Sequence, residues 1–127
     1  MNHTQTSQAC VDACTKCVEA CQKCVENNKT DLHTHQACIT SCKQCIEACN
    51  ACIEACTSHL ETCENEECIT SCKESIKACH TCIKACNECK EACHTSGKEC
   101  VSACRACIDA CHECIKACKK CVEFMCD

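Results

Sequence analysis

Cysteines separated alternately by four and three residues run through most of the chain, and the longest unbroken run, Cys100 to Cys121, carries seven of them. Thiolates are soft, nucleophilic ligands. A chain in which 27 of 127 residues are cysteine therefore has metal binding, disulfide formation and thiol catalysis as its candidate chemistries, and the spacing decides among them.

On a helix of 3.6 residues per turn, steps of four and three keep every thiol on one stripe. Four such stripes are present. The first holds Cys10, Cys14, Cys17, Cys21 and Cys24, and the second Cys38, Cys42, Cys45, Cys49, Cys52, Cys56 and Cys63. A third holds Cys68, Cys72, Cys79, Cys82, Cys86, Cys89 and Cys93, interrupted at Ser75, and the fourth Cys100, Cys104, Cys107, Cys111, Cys114, Cys118 and Cys121. Thiols thus take the a and d positions that Leu or Ile fill in an ordinary bundle. The pattern predicts an all-α, antiparallel four-helix bundle, up-down-up-down, with a cysteine-lined core and a single domain over residues 1–127.

The elements that carry these stripes are separated by polar breaks. Helix 1 is expected from about Thr4 to Glu26, followed by Asn27 to Asp31, where Thr30 or Asp31 supplies an N-cap. Glu64, Asn65, Glu66 and Glu67 form the second connection. Gly97 ends helix 3, and Ser96 with Glu99 has capping-box spacing at the start of helix 4. Beside the thiols, one flank is Val or Ile (Val11, Val18, Ile39, Ile46, Ile83, Ile108 and others) and the other is mostly Ala. Those aliphatic flanks let helices approach closely and seal the interior from water.

Composition removes several roles. No Pro and a single Gly speak against a turn-rich sheet protein. The stretch Met1 to Gln8 has no basic and apolar export pattern, so a reducing, cytoplasmic location is expected. Thiols three or four apart on one helix have nearly parallel Cβ vectors, a poor match to disulfide dihedrals. No apolar run spans a bilayer, and the net charge of -5, without a basic stripe, does not suit nucleic acid. An enzyme is not expected, because a uniform stripe singles out no reactive cysteine. Ferredoxin-type iron-sulfur ligation uses loops with a following Pro.

A core of small thiols leaves space that a core built for stability alone would fill, since cavities cost about 24 cal/mol per Å³. Soft monovalent Cu(I) is the expected filler. Thiols at i, i+4 are about 5–6 Å apart at Cβ, a span one linearly coordinated ion can bridge, whereas zinc wants a tetrahedron that a single stripe supplies less readily. Charge points the same way. Buried charge must be compensated, and four thiolates around Zn(II) leave two negative charges. If each Cu(I) takes two sulfurs and each sulfur bridges two ions, the interior is neutral at about two dozen Cu(I) per chain, the ratio expected of bridging thiolates. A zinc or cadmium buffer of metallothionein type is the alternative.

The repeats CIEACNACIEAC (Cys45 to Cys56) and CRACIDACHECIKAC (Cys104 to Cys118) resemble those of the bacterial copper storage proteins, four-helix bundles that load Cu(I) inside. The resemblance covers essentially Cys10 to Cys126. It implies that the seam cysteines are the ligands, that the protein forms a homotetramer, and that members without an export signal are cytosolic. A store of this kind is expected to exchange copper with a chaperone or recipient enzyme.

Further soft or borderline donors fall near the helix ends. His35 and His59 occupy seam positions, Met125 takes the one after Cys121, and Cys126 lies one residue off it. The topology gathers His3, His59, Met125 and Cys126 at one end, the expected entrance, and His33, His35 and His94 at the other. His80 and His112 fall on the outward face and are not candidates.

Overall fold

The computed structural model describes residues 3–26, 32–93 and 98–123, with side chains described over 4–26, 36–93 and 99–123. Four helices account for them: α1 (His3–Glu26), α2 (Leu32–Thr62), α3 (Glu66–Ala92) and α4 (Lys98–Glu123). The expected all-α bundle is what forms.

Each helix is built from good helix formers on its outer face and the thiol stripe on its inner one. Between α2 and α3 the break falls at Cys63–Asn65, slightly earlier than the acidic run indicated. Asn65 adopts an extended backbone (φ -79°, ψ 119°), and its side-chain oxygen accepts from the backbone N–H of Cys68 at 3.0 Å. This satisfies a donor that the helix start leaves open. Glu66 and Glu67 then belong to the first turn of α3, where negative charge opposes the positive end of the helix dipole. The caps expected at Thr30, Asp31, Ser96 and Gly97 lie outside the described residues.

The helices stand at the corners of a square. α1 packs beside α2 and α4, α3 packs beside the same two, and the pairs α1/α3 and α2/α4 face each other across the diagonals. Short connections between antiparallel neighbours produce this arrangement. The core runs along the axis. Of the 26 described cysteines, 25 are buried, almost all with no exposed surface.

Aliphatic side chains surround this column instead of forming it. Val11, Val18 and Ile39 are buried, while Ile46, Ile53, Ile76, Ile83, Ile108 and Ile115 are half-buried and pack against the thiols from the helix flanks. Ala85 and Ala110 are buried where neighbouring helices come close. Ion pairing adds little: Lys120 Nζ lies 3.5 Å from Glu74 Oε1 across α3 and α4, with both side chains 52% exposed, and such pairs contribute about 0–1 kcal/mol.

Candidate metal centre

Because α1 and α3 run one way and α2 and α4 the other, the four stripes mesh into layers, one side chain from each helix. Cys10 meets Cys49 at 3.6 Å, Cys79 at 3.9 Å and Cys114 at 3.7 Å between sulfurs. In the next layer Cys14 lies 3.5 Å from Cys45 and 3.9 Å from Cys82, and Cys82 lies 3.6 Å from Cys111. Cys17, Cys42, Cys86 and Cys107 form the third layer, with contacts of 3.6–4.0 Å. The fourth joins Cys21, Cys38, Cys89 and Cys104 at 3.5–3.9 Å. Cys24, Cys93 and Cys100 follow, 3.5–4.0 Å apart. Layers are joined lengthwise at 4.0 Å, as in Cys82 to Cys86 and Cys107 to Cys111.

All 26 described cysteines are reduced, none of them in a disulfide. The sulfurs are in van der Waals and weak S–H contact, well beyond the roughly 2.05 Å of a covalent S–S bond.

These separations define what the column can hold. With a metal to sulfur bond of about 2.3 Å, sulfurs around a trigonal ion sit about 4.0 Å apart and around a tetrahedral ion about 3.8 Å apart. Both match the observed contacts. A linear site needs about 4.6 Å, a modest widening. Several sets of four buried thiols have all their sulfurs within 4.8 Å of one another, including Cys14, Cys45, Cys82 and Cys111. One stripe cannot bring four sulfurs together, but four facing stripes do. The sulfur separations alone suit three- or four-coordinate ions and do not choose between copper and zinc.

Sets of four also share members. Cys10 and Cys114 belong both to a set with Cys79 and Cys118 and to one with Cys14 and Cys49. Ions filling the column would have to be bridged by common sulfurs.

Electrostatics restrict the filling further. The buried polar side chains among the described residues are Thr6, Ser7, Ser71 and Ser75, and none carries charge. Among the described residues no buried Lys or Arg offsets an anionic interior. Burial pushes the Cys24 and Cys72 thiols up from the ordinary 9.0, with proton sharing toward Cys100 adding to the rise at Cys24 and the nearby Cys121 sulfur adding to it at Cys72. Cys100 is also raised, again chiefly by burial. Deeper in, protons are shared: Cys107 is lowered, chiefly by its contact with Cys111 and then Cys17, while Cys111 and Cys86 are raised with Cys107 as first partner. One thiolate is stabilised by neighbouring S–H donors that must themselves stay protonated.

The end near the start of α1 is different. His59 is half-buried, and its Nε2 lies 3.1 Å from Sγ of the buried Cys68. Cys72 meets Cys121 at 3.8 Å, and Cys56 lies 4.0 Å from Cys52. Cys63 sits just past the end of α2, half-buried, with its Sγ 3.8 Å from the Asn65 carbonyl oxygen. It lies in the connection and packs against the core from there. His80 and His112 are exposed, as their outward positions required. Met125, Cys126 and His94 lie outside the described residues, and the side chains of His3, His33 and His35 do too.

Sequence reasoning overlooked Ser7. It is fully buried, three residues before Cys10 on the α1 stripe, and its Oγ lies 3.8 Å from Cys52 Sγ. Ser75 is in the same layer, 3.6 Å from Cys52 Sγ and 3.4 Å from Cys118 Sγ. The stripe spacing identifies the position of Ser7, but a search for sulfur passes over it. Neither a protein-family profile, nor a curated protein, nor a solved structure matches the chain.

Proposed function

We propose that the protein is a non-enzymatic store for Cu(I), holding about two dozen ions per chain along the interior of the bundle, a capacity set by bridging thiolates. The observation that carries this reading is the buried column of reduced thiols in an interior where no described residue is a buried cation. A monovalent ion added for each thiolate leaves such a column neutral. Divalent ions in separate four-thiolate sites would leave two negative charges each, at a cost that low-dielectric surroundings make large. The family resemblance supports the same cargo, as well as a homotetramer, a cytoplasmic location and exchange with a copper chaperone or recipient enzyme.

A zinc or cadmium buffer is the second reading, favoured by the tetrahedral dimensions of sets such as Cys14, Cys45, Cys82 and Cys111. The two separate on stoichiometry. Titrating the reduced apo protein with Cu(I) against a competing chelator is expected to saturate near one ion per thiol. Saturation at a few ions would exclude storage. Zinc bound in preference to copper, at about one ion per four thiols as tetrahedral sites demand, would favour the buffer.

A further inference from the structure

The thiol column is not uniform. Four successive layers present four sulfurs each, but the next layer toward the start of α1 presents only Cys52 and Cys118, 3.9 Å apart on one diagonal. The other diagonal is occupied by Ser7 and Ser75, both with no exposed surface. Serine is close to cysteine in shape and opposite in ligand character. Its hydroxyl is a hard donor that keeps its proton at any pH where the protein is folded, so it offers a soft cation neither a favoured ligand nor a charge to neutralise.

The two hydroxyls coincide in one layer although they come from different helices 68 residues apart. Had either been displaced by one seam position, each layer would have kept three sulfurs. Their contacts are with the two remaining thiols, Ser75 with both and Ser7 with Cys52. Thiols are weak hydrogen-bond partners, so the layer is not explained by strong hydrogen bonding. Beyond it lie Cys56, Cys68, Cys72 and Cys121 with His59, and on its other side lie nineteen buried thiols.

Resting on the reading of the column as a Cu(I) store, we propose that the Ser7/Ser75 layer divides the metal column into two separately exchanging thiolate compartments joined only through a two-sulfur site at Cys52 and Cys118. In four-thiol layers an ion can pass between bridging positions without losing its sulfurs. At the serine layer the bridging network narrows to one pair, holding about two cations where neighbouring layers hold about four, by the one-per-thiolate ratio of bridged Cu(I). Exchange between the compartments is slower than within them.

The test is removal of Cu(I) from the fully loaded protein by excess chelator, for the native chain, for Ser7→Cys/Ser75→Cys and for Ser7→Ala/Ser75→Ala, with helicity checked by circular dichroism. The native protein is expected to release copper in two phases, the smaller about one fifth of the total, in proportion to bridged thiolates. In the double cysteine variant a single phase is expected, with capacity raised by about two ions as two more thiolates join the bridges. The alanine variant keeps the two-sulfur layer and is expected to keep both phases and the native capacity. A single phase in the native protein, or two phases persisting unchanged in the cysteine variant, would overturn the division while leaving storage intact. Loading of only a few ions in all three proteins would overturn the storage reading and the division with it.

Discussion

His59 Nε2 lies 3.1 Å from Sγ of Cys68, bringing an imidazole from the last turn of α2 onto a buried thiol in the first turn of α3. The capping of α3 by Asn65 fixes this meeting, because it turns the chain within three residues and sets Cys68 opposite His59. It is a mixed nitrogen and sulfur pair at one end of the thiol column. Replacing His59→Ala is expected to lower copper capacity by no more than about one ion, since imidazole is a terminal and not a bridging donor here. Metal analysis of the saturated variant checks this, and a loss of several ions would mean that the end site governs the whole column.

Position within the layers should matter more than the number of cysteines. Cys45 is fully buried between Cys14 and Cys82, at 3.5 Å from each, whereas Cys63 is half-buried in a connection. Cys45→Ser is expected to remove about one ion and to destabilise the apo protein by about 1–3 kcal/mol through a poorly paired buried hydroxyl. Cys63→Ser is expected to do neither. Urea unfolding together with copper titration of both variants distinguishes them.

Loading should release protons. The thiols of Cys24, Cys72 and Cys100 are raised by burial, so metal displaces a proton at each such ligand. Apparent affinity per ion is expected to fall about tenfold for each unit decrease in pH for every proton displaced. Proton release measured in weak buffer, alongside chelator competition at two pH values, tests this. Uptake without proton release would mean that the apo interior is already ionised.

Metal removal should weaken the bundle, most of all at alkaline pH. Copper that binds the folded chain adds about 2.7 kcal/mol per site at a hundredfold excess over Kd. For the apo protein, the raised thiols keep their protons when folded and lose them on unfolding. Their contribution is therefore fully present below the unfolded value of 9.0 and is lost as pH rises through the higher folded values. Melting temperatures of apo and loaded protein across this range are expected to diverge as pH rises. Equal values would contradict occupation of the core.

The helical class and the inward stripe were legible because four-three spacing of one residue type leaves no other face for the thiols. His80 and His112 were correctly placed outside by the same phase. Which sulfurs meet was not legible: Cys10 and Cys49 are paired by the stagger of antiparallel helices, and that stagger depends on connection geometry as well as periodicity. Cys63 keeps the stripe phase but is only half-buried and lies past the end of α2, because Asn65 caps α3 two residues later. That sulfurs from four helices converge at one level was not legible either, because the periodicity describes one helix at a time. Ser7 occupied a readable seam position and was missed because it carries no sulfur.

On the proposed reading, metal fills the axis of the bundle and is held by thiolates. Anomalous diffraction at the copper edge from crystals of the loaded protein tests it most directly. A column of copper peaks is expected between the four helices, bonded to sulfurs at about 2.2–2.3 Å as soft thiolate ligation requires, from the Cys24, Cys93 and Cys100 level to that of Cys72 and Cys121. Peaks confined to surface histidines, or an interior of thiols oxidised in pairs with no copper among them, would contradict it.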